Sequence, residues 1–318
     1  MLAVRIERTG AAPALVEMAR PTPGPGQILV RIRACGLNFA DLLMQKGTYQ
    51  DTPDVPFTLG MEVAGEVLEL GEGVVDPSPG TRIAVYSGQG GLAEYGVFEA
   101  DRAVTLPEGM TFEHGAALPI AYGTTLLALE HRARLQQGET LLVTGAAGGV
   151  GLTAVEVGKL MGARVIAQAR GAEKLEVARK AGADHLIDAE EDLRARVLEL
   201  GGADVVYDAI GGEVFKAAFR ATNPEGRLLP IGFAGGEVPQ IPANHLLVKN
   251  LTVIGVYIGG YLKFRPEVLR DSFAKVFAWA AEGRIKPHVS HTLPLERAVE
   301  GMDLLRARKS TGKVVITV

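Results

Sequence analysis

Apolar and polar residues alternate with period two over several short stretches near the start of the chain. Leu2, Val4 and Ile6 stand against Arg5 and Glu7, and Ile28, Val30 and Ile32 stand against Arg31 and Arg33. Residues 63–70 and 81–86 carry the same kind of strand-forming sequence. Between them, residues 21–26 and 76–80 are rich in Pro and Gly, which break strands and make turns. The pattern predicts a first third built of many short strands joined by turns, consistent with a Greek-key barrel.

After about residue 121 the texture changes. Short apolar runs predict strands at 140–144, 164–168, 185–187, 204–207, 227–231 and 251–254. Helical periodicity predicts helices at 150–161, 173–181, 193–200 and 214–221 between them. Six strands with intervening helices make a doubly wound parallel sheet, a Rossmann arrangement. Beyond residue 259 a long helix at 267–282 and a last strand at 313–318 are expected to return to the first domain. The predicted division is 1–121, 122–258 and 259–318, two domains with a cleft between them.

A chain of 318 residues is long enough for two cores. Its 47% hydrophobic and 22% charged residues argue against disorder. A net charge of -4 leaves no basic footprint for nucleic acid. Residues 1–8 lack the apolar core of a signal peptide, and no run of residues suits a membrane span. The single cysteine, Cys35, fits a reducing compartment, so a cytoplasmic location is expected. Glycine is the outlier at 40 residues, implying many tight turns or places where backbone approaches a ligand.

One cluster of glycines has a telling context. The strand at 140–144 leads into Gly145-Ala146-Ala147-Gly148-Gly149-Val150-Gly151 and then a helix. Gly148 and Gly149 would let backbone approach a pyrophosphate, with Ala147 and Val150 beside them, and Gly151 would let helix and strand pack closely. The alternative is a turn that only joins strand to helix. A site preferring NAD places an acid at the end of the second strand. Arg170 and Lys174 stand there instead, which points to NADPH through charge-assisted bonding to the 2′-phosphate, unless they only solvate a helix start.

The chain resembles the zinc-free quinone oxidoreductase, or zeta-crystallin-like, branch of the medium-chain dehydrogenase/reductase superfamily. The likeness rests on Gly36-Leu37-Asn38-Phe39-Ala40-Asp41, Gly47-Thr48-Tyr49, Gly60-Met61-Glu62-Val63-Ala64-Gly65, the loop at 146–151, residues 206–212, and Thr311-Gly312-Lys313. It covers nearly the whole chain. The resemblance implies a GroES-like, mainly β catalytic domain, a Rossmann domain and a homodimer. Zinc-dependent relatives need a Cys and a His ligand where this chain has Asn38 and Met61, so no metal is expected. The six histidines show no metal-ligand spacing and are expected to be surface or packing residues.

Family position further implies that Asn38 contacts cofactor or substrate, unless it caps a turn. It implies that Tyr49 bonds a carbonyl and donates a proton, unless it is a packing tyrosine. Thr125 is expected to place a hydroxyl near the nicotinamide, with Thr124 as a possible helix cap. Gly232 and Phe233 follow the fifth strand at its ligand-facing edge. Arg308 aligns with an arginine near the cofactor phosphates, and Lys313 closes the last motif; either alternatively is solvated charge. Some relatives stack a tyrosine on the cofactor where this chain has Ala189. The expected chemistry is hydride transfer from NADPH to a quinone or similar conjugated carbonyl, with Asn38 and Tyr49 stabilising charge on the reduced oxygen. Reduction of an alkenal or enoyl thioester double bond is the enzymatic alternative, and nucleotide binding with little catalysis is the other.

Overall fold

The computed structural model describes residues 1–318 and divides them into two units. Met1–Ile120 and Arg265–Val318 form one, and Ala121–Phe264 the other. In chain order the first unit begins with β1 (Leu2–Ile6), β2 (Ala14–Glu17), β3 (Gln27–Leu37), α1 (Phe39–Lys46), β4 (Phe57–Thr58) and β5 (Glu62–Leu70). β6 (Arg82–Tyr86), β7 (Tyr95–Glu99), β8 (Ala103–Thr105) and α2 (Phe112–Ala117) follow. α3 (Pro119–Leu126) then runs into a π-helical turn, Leu127–Arg132.

The second unit continues with β9 (Thr140–Thr144), α4 (Gly149–Leu160), β10 (Arg164–Ala169), α5 (Ala172–Lys180), β11 (His185–Asp188) and α6 (Leu193–Glu199). It closes with β12 (Ala203–Asp208), α7 (Gly212–Ala221), β13 (Thr222–Pro230), α8 (Ala243–Lys249), β14 (Thr252–Val253) and α9 (Ile258–Phe264). The chain returns to the first unit through α10 (Pro266–Ala281), β15 (Val289–Pro294), α11 (Ala298–Arg306) and β16 (Lys313–Thr317).

In the second unit the sheet order is β11-β10-β9-β12-β13-β14, all pairs parallel. This is the doubly wound arrangement in which the strand order reverses beside the first strand, here β9. Its inner strands β9, β10 and β12 are buried on both faces, which is why they read as apolar runs rather than alternating ones. Leu142, Ile166, Val206, Phe215, Phe219 and Leu228 pack in one core layer.

In the first unit a seven-stranded sheet runs β15-β16-β3-β5-β6-β8, with β7 also on β3. β3 is its backbone. One edge pairs with β5, while the other pairs with β7 over Gln27–Arg31 and with β16 over Ala34–Leu37. Bulges between Leu29 and Val30 and between Ile32 and Ala34 bend the strand enough to serve both partners. The alternation at β1 is realised, with Val4 and Ile6 buried and Glu7 exposed. α10 opens with Pro266 at its first turn and buries Leu269, Phe273, Val276 and Phe277 on one helical face.

Several elements depart from the sequence pattern. β2, β4, β7, β8 and β15 and helices α1, α2, α8, α9 and α11 were not legible in it. The expected strand at 251–254 shortens to the two residues of β14. No helix is long and apolar enough to cross a membrane.

Candidate functional site

The glycine cluster lies at the carboxyl end of β9. Gly145 leaves the strand at φ 64°, Ala146 N–H donates to the Gln168 carbonyl at 2.9 Å, and Gly148 N–H donates to the Gly145 carbonyl at 3.0 Å. α4 then starts with Gly148 as its cap residue and no side-chain oxygen to satisfy its first N–H groups. A helix start leaves such donors pointing outward with a favourable dipole for an anion. Gly148 is exposed, and a Cβ there would meet only the Gly145 carbonyl oxygen, at 3.4 Å. Gly151 is buried, and a Cβ there would be driven into the Gly145 carbonyl. Ala147, Gly148, Gly149 and Val150 thus form one continuous turn, open at Gly148 and suited to a pyrophosphate.

Arg170 is exposed immediately after β10, and Lys174 lies in the first turn of α5. Gly171 between them, at φ 80°, donates its N–H to Asp188 Oδ2 at 2.8 Å. Asp188 Oδ1 accepts from Glu190 N–H at 3.0 Å, so this neighbouring carboxylate is held by backbone. At the end of β13, the N–H groups of Ile231 and Gly232 reach the Asp208 carbonyl at 2.7 and 3.3 Å, and Phe233 beyond them is 40% exposed. The Asp208 carboxylate accepts from Thr144 Oγ1 and from Gly211 N–H at 2.8 Å, and burial holds its pKa above the usual carboxylate range. The ends of β9, β12 and β13 are therefore stitched together where a doubly wound sheet presents its ligands.

Thr125 is fully buried. Its Oγ1 lies 2.7 Å from Thr153 Oγ1 of α4 and 3.0 Å from the Tyr207 hydroxyl of β12. The hydroxyl thus braces α4 against the sheet from within. Thr124 sits inside α3, whose helical turns begin at Pro119, so it is not a cap. The sequence pattern started this helix late because its early turns are apolar and glycine-containing.

In the first unit, Asn38 separates β3 from α1 and is at the centre of a buried polar cluster. Its Nδ2 donates to the Gly36 carbonyl at 3.2 Å and to Glu62 Oε1 at 2.9 Å. Its Oδ1 accepts from Lys313 Nζ at 2.8 Å. The Lys313 ammonium also donates to the Leu37 carbonyl at 2.8 Å and to Glu62 Oε1 at 2.6 Å, with the two charged side chains 4% and 0% exposed. Glu62 Oε2 accepts from Ile120 N–H at 2.7 Å. Asp41, three residues into the same turn, accepts from Asn38 N–H at 2.8 Å and Gly60 N–H at 3.2 Å. Burial outweighs those bonds and pushes the Asp41 pKa up to about 6.

Two expectations change here. Lys313 is not solvated charge but an internal cation, because β16 lies between β15 and β3 and buries its first residue beside Glu62. Both N–H bonds of the Asn38 amide are engaged within the protein, so it has no donor left for a developing oxyanion. Asn38 nevertheless starts α1, as a turn-forming residue would. Tyr49 is half-buried just beyond α1, and its own carbonyl accepts from Thr52 Oγ1 at 2.6 Å. Burial first, and then the proximity of Tyr49 and Asp51, hold the Tyr86 phenol well above its ordinary pKa. Arg308 is exposed at φ 55° after α11.

Glu62, Asp41 and Tyr86 were not singled out from sequence, and the partnership of Lys313 with Glu62 was not foreseen. The available signal was a charged residue opening a strand on an apolar run, Glu62 before Val63-Ala64 and Lys313 before Val314-Val315-Ile316, since such charges are buried only when paired. Met61 is 2% exposed and Cys35 fully buried, its thiol pushed up by burial. No group of three or more His, Cys, Asp or Glu side chains is placed to hold a metal ion. The histidines instead pack or bond locally, as His245 does against Phe219 and His288 with Thr311 Oγ1 at 3.0 Å.

Residues 24–108 match the alcohol dehydrogenase GroES-like domain family, and residues 149–281 match the zinc-binding dehydrogenase family. The chain is 42% identical over 300 residues to quinone oxidoreductase-like protein 2 homolog of Nematostella vectensis, covering 92% of this chain and 82% of that protein. Among solved structures, the quinone oxidoreductase of Thermus thermophilus, determined also in complex with NADPH, is 33% identical with a TM-score of 0.89 over 100% of both chains. The Escherichia coli quinone oxidoreductase complexed with NADPH is 29% identical with a TM-score of 0.92, again over 100% of both. A GroES-like sheet, a doubly wound nucleotide-type sheet and these full-length likenesses together establish that the chain belongs to the medium-chain dehydrogenase/reductase superfamily, as an oxidoreductase.

Proposed function

We propose that the protein is an NADPH-dependent, zinc-independent oxidoreductase that reduces a quinone or a similar conjugated carbonyl. The observation that carries this reading is the make-up of the Asn38 cluster. Asn38 and Met61 occupy the two positions where zinc-dependent relatives need a cysteine and a histidine, and the neighbouring acid, Glu62, is already neutralised by the Lys313 ammonium. An amide, a thioether, a protonated buried thiol and a paired carboxylate are a poor donor set for zinc. Oxidation of an alcohol leans on a Lewis acid to stabilise the alkoxide, whereas an electrophilic conjugated carbonyl accepts a hydride without one.

The residues of the second unit fit the cofactor. The uncapped start of α4 at Gly148, Gly149 and Val150, with Ala147 behind it, suits the pyrophosphate. Arg170 and Lys174 supply charge for the 2′-phosphate. Gly232 and Phe233 border the same strand ends, and Thr125 keeps α4 in register with the sheet. Arg308 is assigned to the cofactor phosphates by family position. When bound, NADPH supplies the hydride. Asn38 contacts the bound ligands, and the Tyr49 phenol donates the proton that completes reduction of the oxygen, so that quinone, NADPH and one proton give hydroquinone and NADP+. A homodimer and a cytoplasmic location complete the proposal, on the family likeness and the single buried cysteine.

The test is a titration of the purified protein with NADPH and NADH by nicotinamide fluorescence, followed by addition of a small quinone or an enal. NADPH is expected to bind at least about tenfold tighter than NADH, with rapid quinone-dependent oxidation, and Arg170→Ala is expected to bring the two nucleotides near parity, since one charge-assisted bond is worth roughly 1.5–3 kcal/mol. Equal affinities in the parent protein would sink the NADPH assignment. Oxidation by the enal alone would replace the quinone by an activated double bond, and binding of neither nucleotide would overturn the proposal.

A further inference from the structure

The hydroxyls of Tyr207, Thr125 and Thr153 in the second unit form a chain, and following their protons gives it a direction. Each hydroxyl has one proton to donate. Tyr207 and Thr125 are fully buried, and Thr153 is 5% exposed. The Tyr207 hydroxyl has one partner, Thr125 Oγ1 at 3.0 Å. Were Thr125 the donor, the phenol proton would be buried without an acceptor, which is costly, so Tyr207 donates to Thr125. Thr125 Oγ1 has Thr153 Oγ1 at 2.7 Å and the Val150 carbonyl at 3.4 Å, and the shorter contact takes its proton. Thr153 Oγ1 has the Val150 carbonyl at 2.9 Å and the Ala121 carbonyl at 3.2 Å, and again the nearer oxygen takes the proton. The relay therefore runs one way, from β12 through α3 to the first turn of α4, and ends on the Val150 carbonyl.

That carbonyl shares its peptide group with the Gly151 N–H. The first helical bond of α4 is from Leu152 N–H to the Gly148 carbonyl at 2.8 Å. The N–H groups of Gly149, Val150 and Gly151 precede it, and no side chain caps them. A bond received by a peptide oxygen polarises the whole group and makes its N–H a stronger donor. We infer that the Tyr207–Thr125–Thr153 relay strengthens the Gly151 N–H as a donor to an anion, which makes Tyr207 and Thr153 positioning residues for the dinucleotide pyrophosphate, acting through the Val150–Gly151 peptide. The inference rests on the reading of the α4 start as the cofactor's phosphate site. Pyrophosphate is common to NADPH and NADH, so the relay serves both and leaves the choice between them to Arg170 and Lys174.

The relay is tested first in the nucleotide-free protein. Val150-Gly151 and Val157-Gly158 are the only two Val-Gly pairs in the chain. Carbon-13 labelling of valine carbonyls with nitrogen-15 labelling of glycine therefore selects the amides of Gly151 and Gly158 alone, and Gly158, later in α4, is an internal reference. Tyr207→Phe removes the hydroxyl and keeps the ring. It is expected to move the Gly151 amide nitrogen upfield and to leave Gly158 in place. A Gly151 resonance that does not move would overturn the relay, whatever the protein binds, and so would Gly151 and Gly158 moving together, since α4 would then shift as a body.

The service to the nucleotide is tested by titration. Tyr207→Phe is expected to weaken NADPH and NADH alike by about two- to fivefold, the share that one relay bond adds to one charge-assisted bond. Adenosine 2′-monophosphate, which has no pyrophosphate, is expected to bind as it does to the parent protein, measured by calorimetry. Thr153→Val breaks the same relay at its last step, so the double variant is expected to lose no more than the larger of the two single losses. Unchanged nucleotide affinity, additive losses, a loss confined to NADPH, or an equal loss for adenosine 2′-monophosphate would overturn the inference. The Gly151 resonance needs no nucleotide and the NADPH titration of the parent protein needs no variant, so failure of the relay and failure of the cofactor reading are told apart.

Discussion

At the residue scale, the energetics concentrate in the Asn38 cluster. Removing one partner of a buried ion pair strands the other, so Glu62→Ala is the most damaging kind of change available there, at about 3–5 kcal/mol. Asp41 offers a cleaner measurement. Its carboxyl is buried and titrates at about 6 in the folded chain, against a reference value of 3.8. The unfolded chain therefore loses its proton first as pH rises from about 4 to about 6, and folding becomes less favourable over that window by roughly 3 kcal/mol before levelling off. Asp41→Asn cannot ionise, so urea denaturation at pH 4, 5, 6 and 7 should show the variant gaining on the parent protein by about that amount between the ends of the series. Parallel pH profiles would remove the carboxyl from this role. Glu62 and Lys313 show why sequence alone passed over the cluster: their partners are 251 positions apart in the chain, and nothing local distinguishes a paired buried charge from a solvated one.

At the scale of elements, the junction of β9 and α4 was legible because its demands are local. Strand, tight turn and helix start are consecutive, and each glycine answers one steric requirement. Gly151 is the most constrained, since any side chain there pushes into the Gly145 carbonyl and forces α4 away from the sheet. Gly151→Val is expected to cost about 1–3 kcal/mol of stability and to weaken nucleotide binding by at least about tenfold, read by denaturant titration and by nucleotide fluorescence. Unchanged affinity would mean that the helix start is not the phosphate site. α1 and α11, by contrast, escaped the sequence reading. Each is short, and each owes its place to packing that periodicity over eight or nine residues does not reveal: Arg306 of α11 reaches Gln45 of α1 at 3.0 Å across 261 residues of chain.

For the whole molecule, the decisive connection is the return of the chain end into the first unit. β16 lies between β15 and β3, buried over Lys313–Ile316, and brings the internal cation with it. Deleting residues 313–318 should abolish the cooperative unfolding of the first unit, because it splits the seven-stranded sheet and leaves Glu62 unpaired. Circular dichroism and thermal melting check this, and a truncated protein that melts like the parent would show that β16 is dispensable.

Much of this protein was determined by its sequence alone. Alternating strands in the first third, apolar runs separated by amphipathic helices in the middle, the glycine turn after β9 and the cations after β10 follow from requirements that neighbouring residues impose on one another. What only the tertiary structure decided is the chemistry of distant residues brought together. It made Lys313 the counter-ion of Glu62, drew Thr125 into a buried hydroxyl network, and engaged both amide protons of Asn38 with Gly36 and Glu62. The physical reason is that a hydrogen bond between buried groups depends on which strands adjoin, and strand order is settled by the packing of the whole sheet rather than by any one stretch of it.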